Sequence, residues 1–288
     1  MKISMKNVFL VAISEYRKWL LTPRIIMVLA MMVPIREIVI LPIIRASQYM
    51  NQPINVLEPC IATMNSNIIT LLVPLVFIVL ISSFPTVDGN MFFYIGRMGR
   101  SSWIIGEIMS DIMYTVTYVA ILTAMILIQV APYSFLADGW SIVATDYDRV
   151  SGNSTGTMSN LLAPNLFYQM APYKAFALSL VLLLLWLMVC TLFFQMGSVF
   201  GRKILFFIIL VVQIAAGCAL SALDNRLMWF FPVCHSFLKP HYQAYFRKYV
   251  FSPYLSVLIL ATIQGVLIIL IYRKAKTVNL DTIGGPQQ

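Results

Sequence analysis

The chain has 288 residues, 60% of them hydrophobic and only 11% charged, with 20 Lys and Arg against 11 Asp and Glu and a net charge of +9. Soluble domains sit at roughly 45–50% apolar and about 25% charged, so a soluble enzyme, a disordered chain and a fibrous protein are excluded. What remains is an integral membrane protein, in which a positive balance is read by position and gives no reason to invoke nucleic acid.

The N-terminal stretch does not read as a signal peptide, because Glu15, Arg17 and Lys18 follow only a short apolar run. Met5, Val8, Phe9, Ala12, Ile13, Tyr16 and Leu20 recur at helical spacing, opposite a face of Lys6, Asn7, Ser14, Arg17 and Lys18. This pattern predicts an amphipathic helix lying in the membrane interface. Six transmembrane helices are expected next, at about 25–45, 68–84, 102–130, 175–195, 203–223 and 254–272, each near the roughly 20 residues that a bilayer demands. The fold class is therefore all-α and polytopic, a single transmembrane domain over residues 1–280. The tail 281–288 is expected to be disordered.

Six spans put both termini on one side. That side collects Lys2, Lys6, Arg17, Lys18, Arg24, Arg97, Arg100, Arg202, Lys203, Arg273, Lys274 and Lys276, which places it in the cytoplasm. Two long connections then face outward. Residues 131–173 are rich in small polar residues. Residues 224–253 are aromatic and basic, and their amphipathic character predicts short extracytoplasmic helices before the last span. Asn153-Ser154-Thr155 is a glycosylation sequon. The four cysteines make no disulfide framework, although Cys60 and Cys234 lie in polar connections where pairing is conceivable. Gly197 and Gly201 read better as a flexible loop than as a helix-packing motif.

Motifs for chemistry on this chain are missing. There is no Walker loop, no H-E-x-x-H, and two histidines in all, so no metal centre or bound cofactor is expected. Charge in the apolar spans is more informative. Arg36 and Glu37 fall near the middle of the first span, where a charge costs about 2.5–3.5 kcal/mol on insertion scales. They either line a pathway or subunit seam, or the span ends early and both reach the outer interface. Glu107 and Asp111, spaced i, i+4, share a face at the start of the third span. The favoured reading for them is a solvated first turn extending below the membrane.

The connection between the second and third spans has the most particular pattern. Asp88-Gly89 opens it, the greasy run Met91–Ile95 with Phe92, Phe93 and Tyr94 follows, then come Arg97 and Arg100, and Gly106-Glu107 lies inside the next span. Physically this is a short helix with one apolar face and a basic end, suited to a groove on a soluble partner. The order of these residues resembles that of the permease subunits of ABC-2 type ATP-binding cassette transporters. Two departures stand out: Arg97-Met98-Gly99 occupies the place of a frequent Pro, and Glu107 that of a frequent Lys. The resemblance covers nearly the whole chain in architecture. It implies an export permease in a bacterial plasma membrane, without enzyme activity of its own, carrying an amphipathic peptide, antibiotic or lipid. It further implies a separate cytoplasmic ATPase holding ATP and Mg, a second permease copy or paralogue, and ATPase coupling through Asp88, Gly89, Phe92, Phe93, Tyr94, Arg97 and Arg100. The competing class is a membrane sensor or assembly protein that binds a ligand with its outer loops.

Overall fold

The computed structural model describes residues 4–83, 89–152, 156–242 and 249–277. Its helices are α1 (Met5–Leu20), α2 (Ile26–Ile35), α3 (Leu41–Met50), α4 (Glu58–Asn65), α5 (Asn67–Ile81), α6 (Gly89–Met98), α7 (Arg100–Val130), α8 (Ile142–Val150), α9 (Thr157–Leu161), α10 (Pro164–Phe167), α11 (Pro172–Val199), α12 (Lys203–Ala222) and α13 (Pro253–Thr277). Strand structure among the described residues is limited to a two-residue parallel pair, Ile54–Asn55 with Ser134–Phe135. The protein is an all-α membrane protein.

Among the described residues five helical stretches are long and apolar enough to cross a bilayer: Pro23–Met50, Arg100–Tyr133, Pro172–Val199, Lys203–Ala222 and Pro253–Lys276. The expected second span differs. α5 has 15 residues, about 22 Å of helix, which falls short of a hydrocarbon core of about 30 Å. It passes as a span only together with α4, across a bend of 78°. The bend at Ser66, whose backbone is extended, is held by buried Asn65. Its Oδ1 accepts the backbone N–H groups of Leu238 (2.6 Å) and Lys239 (3.2 Å), and its Nδ2 donates to Ile61 O (2.8 Å) and Ser179 Oγ (3.0 Å). A polar residue in an apolar run thus marks where the chain turns.

α11 is the centre of the bundle and packs on α4, α5, α7, α12 and α13. Leu182, Leu183, Trp186, Leu187, Cys190 and Phe194 are buried along it, and a helix surrounded by neighbours needs to be apolar all round. Gly197 belongs to this helix rather than to a loop. A Cβ there would lie 2.6 Å from Phe206 Cβ of α12, so glycine permits the tight α11–α12 hairpin, and Gly201 turns it with a φ of +67°. Cys60 and Cys234 are both buried free thiols, and Cys234 Sγ donates to Gly217 O at 3.2 Å.

Among the described residues, the segment before the last span carries three short 3-10 helices, Arg226–Phe230, Pro232–Ser236 and Lys239–His241. Prolines at 232 and 240 are placed at the starts of two turns, where a missing N–H is harmless. The expected tail and the Asn153–Thr155 sequon lie outside the described residues.

Candidate functional site

The candidate site is where α1, α6 and the start of α7 meet. α1 is helical as the periodicity predicted, but its buried face is Val8, Val11, Ala12, Glu15 and Trp19. Met5, Phe9 and Leu20, expected on one apolar stripe, remain exposed. The buried face lies along α7. Gly106 permits it: a Cβ at 106 would lie 2.7 Å from Val11 Cβ and 3.0 Å from Val8 O. Above this contact Trp19 packs against Tyr114 with ring centroids 5.2 Å apart, and the Tyr16 hydroxyl hydrogen-bonds Thr117 Oγ1 at 2.8 Å.

This docking buries charge. Glu107 and Asp111 are 4% and 9% exposed, which overturns the expectation of a solvated first turn. The physical reason is the packing of α1, α2, α11 and α13 around α7, and α1 brings a third carboxyl, Glu15, toward Glu107. Glu107 senses the charge of Glu15 across the interface and of Asp111 on its own helix. Lys18 pairs with Glu15 at 2.6 Å. Asp111 Oδ2 is buried without a hydrogen-bond partner among the described residues.

α6 is pinned to the same platform. The Tyr94 hydroxyl donates to Ser14 Oγ of α1 at 2.8 Å. Gly99 separates α6 from α7 with φ 83° and ψ 153°, a backbone conformation essentially restricted to glycine. Arg97 lies exposed on α6. Arg100 Nη1 donates to Lys276 O at 2.9 Å, tying the start of α7 to the end of the last helix. Tyr94 and Arg100 thus tie α6 and α7 to α1 and α13, and Arg97 is exposed. Gly89 opens α6. Asp88 and the side chains of Phe92 and Phe93 lie outside the described residues.

Arg36 and Glu37 open a π-helical turn, Arg36–Ile40, in the middle of the Pro23–Met50 stretch. Pro34 and Pro42 flank it, and each removes a helical N–H that the local widening accommodates. Both charged residues are exposed, on the face that carries exposed Ile26, Leu29 and Val33. They point away from this chain's core, so they do not line a pathway inside a single copy.

At the opposite end of the bundle, three features were not anticipated from sequence. Glu58 clamps the loop before α8: Oε1 accepts Ser141 N at 2.6 Å, while Oε2 accepts Ser141 Oγ at 2.8 Å and Asn55 N at 3.2 Å. Ser256 Oγ sits between His235 Nδ1 (2.8 Å) and His241 Nε2 (2.7 Å), while His235 Nε2 lies 3.1 Å from Trp229 O. Trp229 O can only accept, so His235 donates from Nε2 and accepts at Nδ1 from the serine, which in turn accepts from His241. Both rings are neutral in this chain of bonds. Burial lowers the pKa of each ring, that of His241 to about 3 with a smaller contribution from the charge of His235. Beside this lock lies a cavity of about 590 Å3 lined by Asp224, Arg226, Trp229, Lys239 and Tyr242, among others. The histidines and the Glu107–Asp111 pair are at opposite ends and form no joint constellation. Among the described residues no group of three or more His, Cys, Asp and Glu side chains could hold a metal ion.

No family model, no curated protein and no solved structure matches the chain.

Proposed function

We propose that this chain is the membrane subunit of an ATP-driven exporter of amphipathic molecules, working in the plasma membrane with a separate cytoplasmic ATPase and a second permease copy or paralogue. The bent α4–α5 pair counts as one span in this reading, which makes six and puts both termini in the cytoplasm. The observation that carries it is the platform of α1, α6 and α7. A short helix between two spans is braced through Tyr94 and Ser14 to the N-terminal helix. Through the Gly99 elbow it is continuous with the 31-residue α7. A push on α6 therefore reaches a helix long enough to cross the membrane, and Arg97 supplies an outward-facing cation for a partner's acidic groove. ATP and Mg would be held by the ATPase.

The test is purification of the chain with its native partners. A stoichiometric ATPase whose turnover responds to the transported molecule supports the exporter. A chain that is consistently isolated alone overturns it. The cavity at the far end favours a second reading, a membrane sensor that binds its ligand there, and the absence of substrate-stimulated ATP turnover would leave that reading in place.

A further inference from the structure

The far-end cavity combines three kinds of surface. Its rim carries two cations, Arg226 and Lys239, against one acid, Asp224, and no side-chain ion pair or hydrogen bond engages any of these three among the described residues. Its wall contains the amide of Asn165, whose Nδ2 donates to Lys239 O and Tyr242 O at 2.6 and 3.2 Å, fixing the strand of chain on which Lys239 sits. Its aromatic wall is Trp229, held by a stack on Phe251 at 4.6 Å and 20°. The turn that supplies Arg226 and Trp229 also exposes Leu223, Leu227 and Phe230, the last at 82%.

The cavity lies at the membrane boundary. Ser221 and Ala222, the last residues of α12, line it, while the first, Lys203, shares a recess with Ser82 at the α1 end, where Arg24 donates to Ser82 Oγ at 2.6 Å. A helix of 20 residues separates the two, about 30 Å and so the thickness of a hydrocarbon core. A polar cavity whose described lining carries a net charge of one, opening beside a greasy collar at that depth, matches a molecule with both characters.

We propose that this cavity binds the head of an anionic amphiphile, one carrying a single negative charge and hydroxyl or amide donors, with its apolar tail lying along Leu223, Leu227 and Phe230. Arg226 and Lys239 meet the anion, charge-assisted bonds being about twice as strong as neutral ones. Asp224 accepts from the head's donors and disfavours polyanions. The inference names the substrate class of the proposed exporter and rests on that reading for its role in transport. Binding itself requires neither nucleotide nor ATPase, so failure of either idea leaves the other standing.

The experiment is equilibrium dialysis of radiolabelled short-chain lipids against the amphipol-stabilised full chain. Dihexanoylphosphatidylglycerol has the charge and hydroxyls required; dihexanoylphosphatidylcholine, a zwitterion, has no net charge and no hydroxyls; glycerophosphoglycerol is the head without tails. The expected result is saturable binding of the first, at least tenfold tighter than of either other probe, and weakened at least tenfold in Arg226→Gln/Lys239→Gln. Because Arg226 is exposed, the single variant Arg226→Gln keeps the fold and is expected to lose several-fold by itself. Equal binding of the two lipids, undiminished binding by both variants, or glycerophosphoglycerol binding as tightly as the lipid would each overturn the proposal, the last by assigning the cavity to a free soluble anion.

Discussion

At the scale of single residues, two glycines and one carboxylate determine the platform. Gly106→Ala gains up to about 1 kcal/mol in helix propensity. It also drives a methyl to 2.7 Å from Val11 Cβ and 3.0 Å from a backbone carbonyl, and overpacking of that kind costs about 1–3 kcal/mol. Because a backbone atom cannot rotate aside, the clash wins. The variant is expected to have a lower Tm in detergent and weaker disulfide trapping between cysteines introduced on α1 and α7. Gly99→Ala forces a side chain into a conformation essentially closed to it and is expected to cost about 1–3 kcal/mol, read in the same thermal assay. Asp111→Asn has the opposite sign. It keeps the shape while replacing a buried carboxyl whose Oδ2 has no hydrogen-bond partner among the described residues, so its Tm should equal or exceed that of the parent; a fall of several degrees would show that the carboxyl is needed as such. Sequence spacing put Glu107 and Asp111 on one face correctly. It could not show that the face is buried, because the elements packed on α7 come from distant parts of the chain, and α1, about a hundred residues away, brings Glu15, a residue that reads only as an interruption of the apolar run, toward Glu107.

At the scale of elements, the long helices were legible because apolar runs of bilayer length leave little alternative. The expected starts at 175 and 203 agree with α11 and α12 to within a few residues. The α4–α5 break was not legible, since it depends on Asn65 finding backbone donors in a segment more than 170 residues later. Short helices before α13 were legible from the aromatic pattern, but their 3-10 form was not; the histidines that order them were invisible as a pair, because they meet through Ser256, Trp229 and Phe251. This element has a pH signature. Both rings titrate below their unfolded value of about 6.5. The unfolded chain therefore binds more protons as pH falls, and stability present above pH 6.5 is lost progressively between about 6.5 and 3. The limiting slope is about 1.4 kcal/mol per pH unit for each histidine. Thermal unfolding between pH 7.5 and 4.5 should show Tm falling with pH. His235→Gln/His241→Gln should flatten that dependence relative to the parent, and an unchanged slope would place the titrating groups elsewhere.

At the scale of the whole molecule, the two ends of the bundle are built differently. One end gathers the N-terminal helix, a short inter-span helix and the C-terminal end of α13 around buried carboxylates, with Arg100 bonded to Lys276 O across it. The other carries a locked histidine pair and a charged cavity of about 590 Å3. Helices crossing between them supply a route by which force at one end can change the other. The Arg36–Glu37 pair lies exposed at a π-helical turn in the middle of the Pro23–Met50 stretch. The central claim is that force enters through α6, and the most direct measurement is ATP hydrolysis alongside transport in liposomes containing the chain, its ATPase and the transported amphiphile. The account predicts that Arg97→Glu, at an exposed position that leaves folding intact, abolishes substrate-stimulated hydrolysis and transport together, and that charge reversal in the facing groove of the ATPase restores both. Unchanged transport by a fully folded Arg97→Glu protein would contradict it.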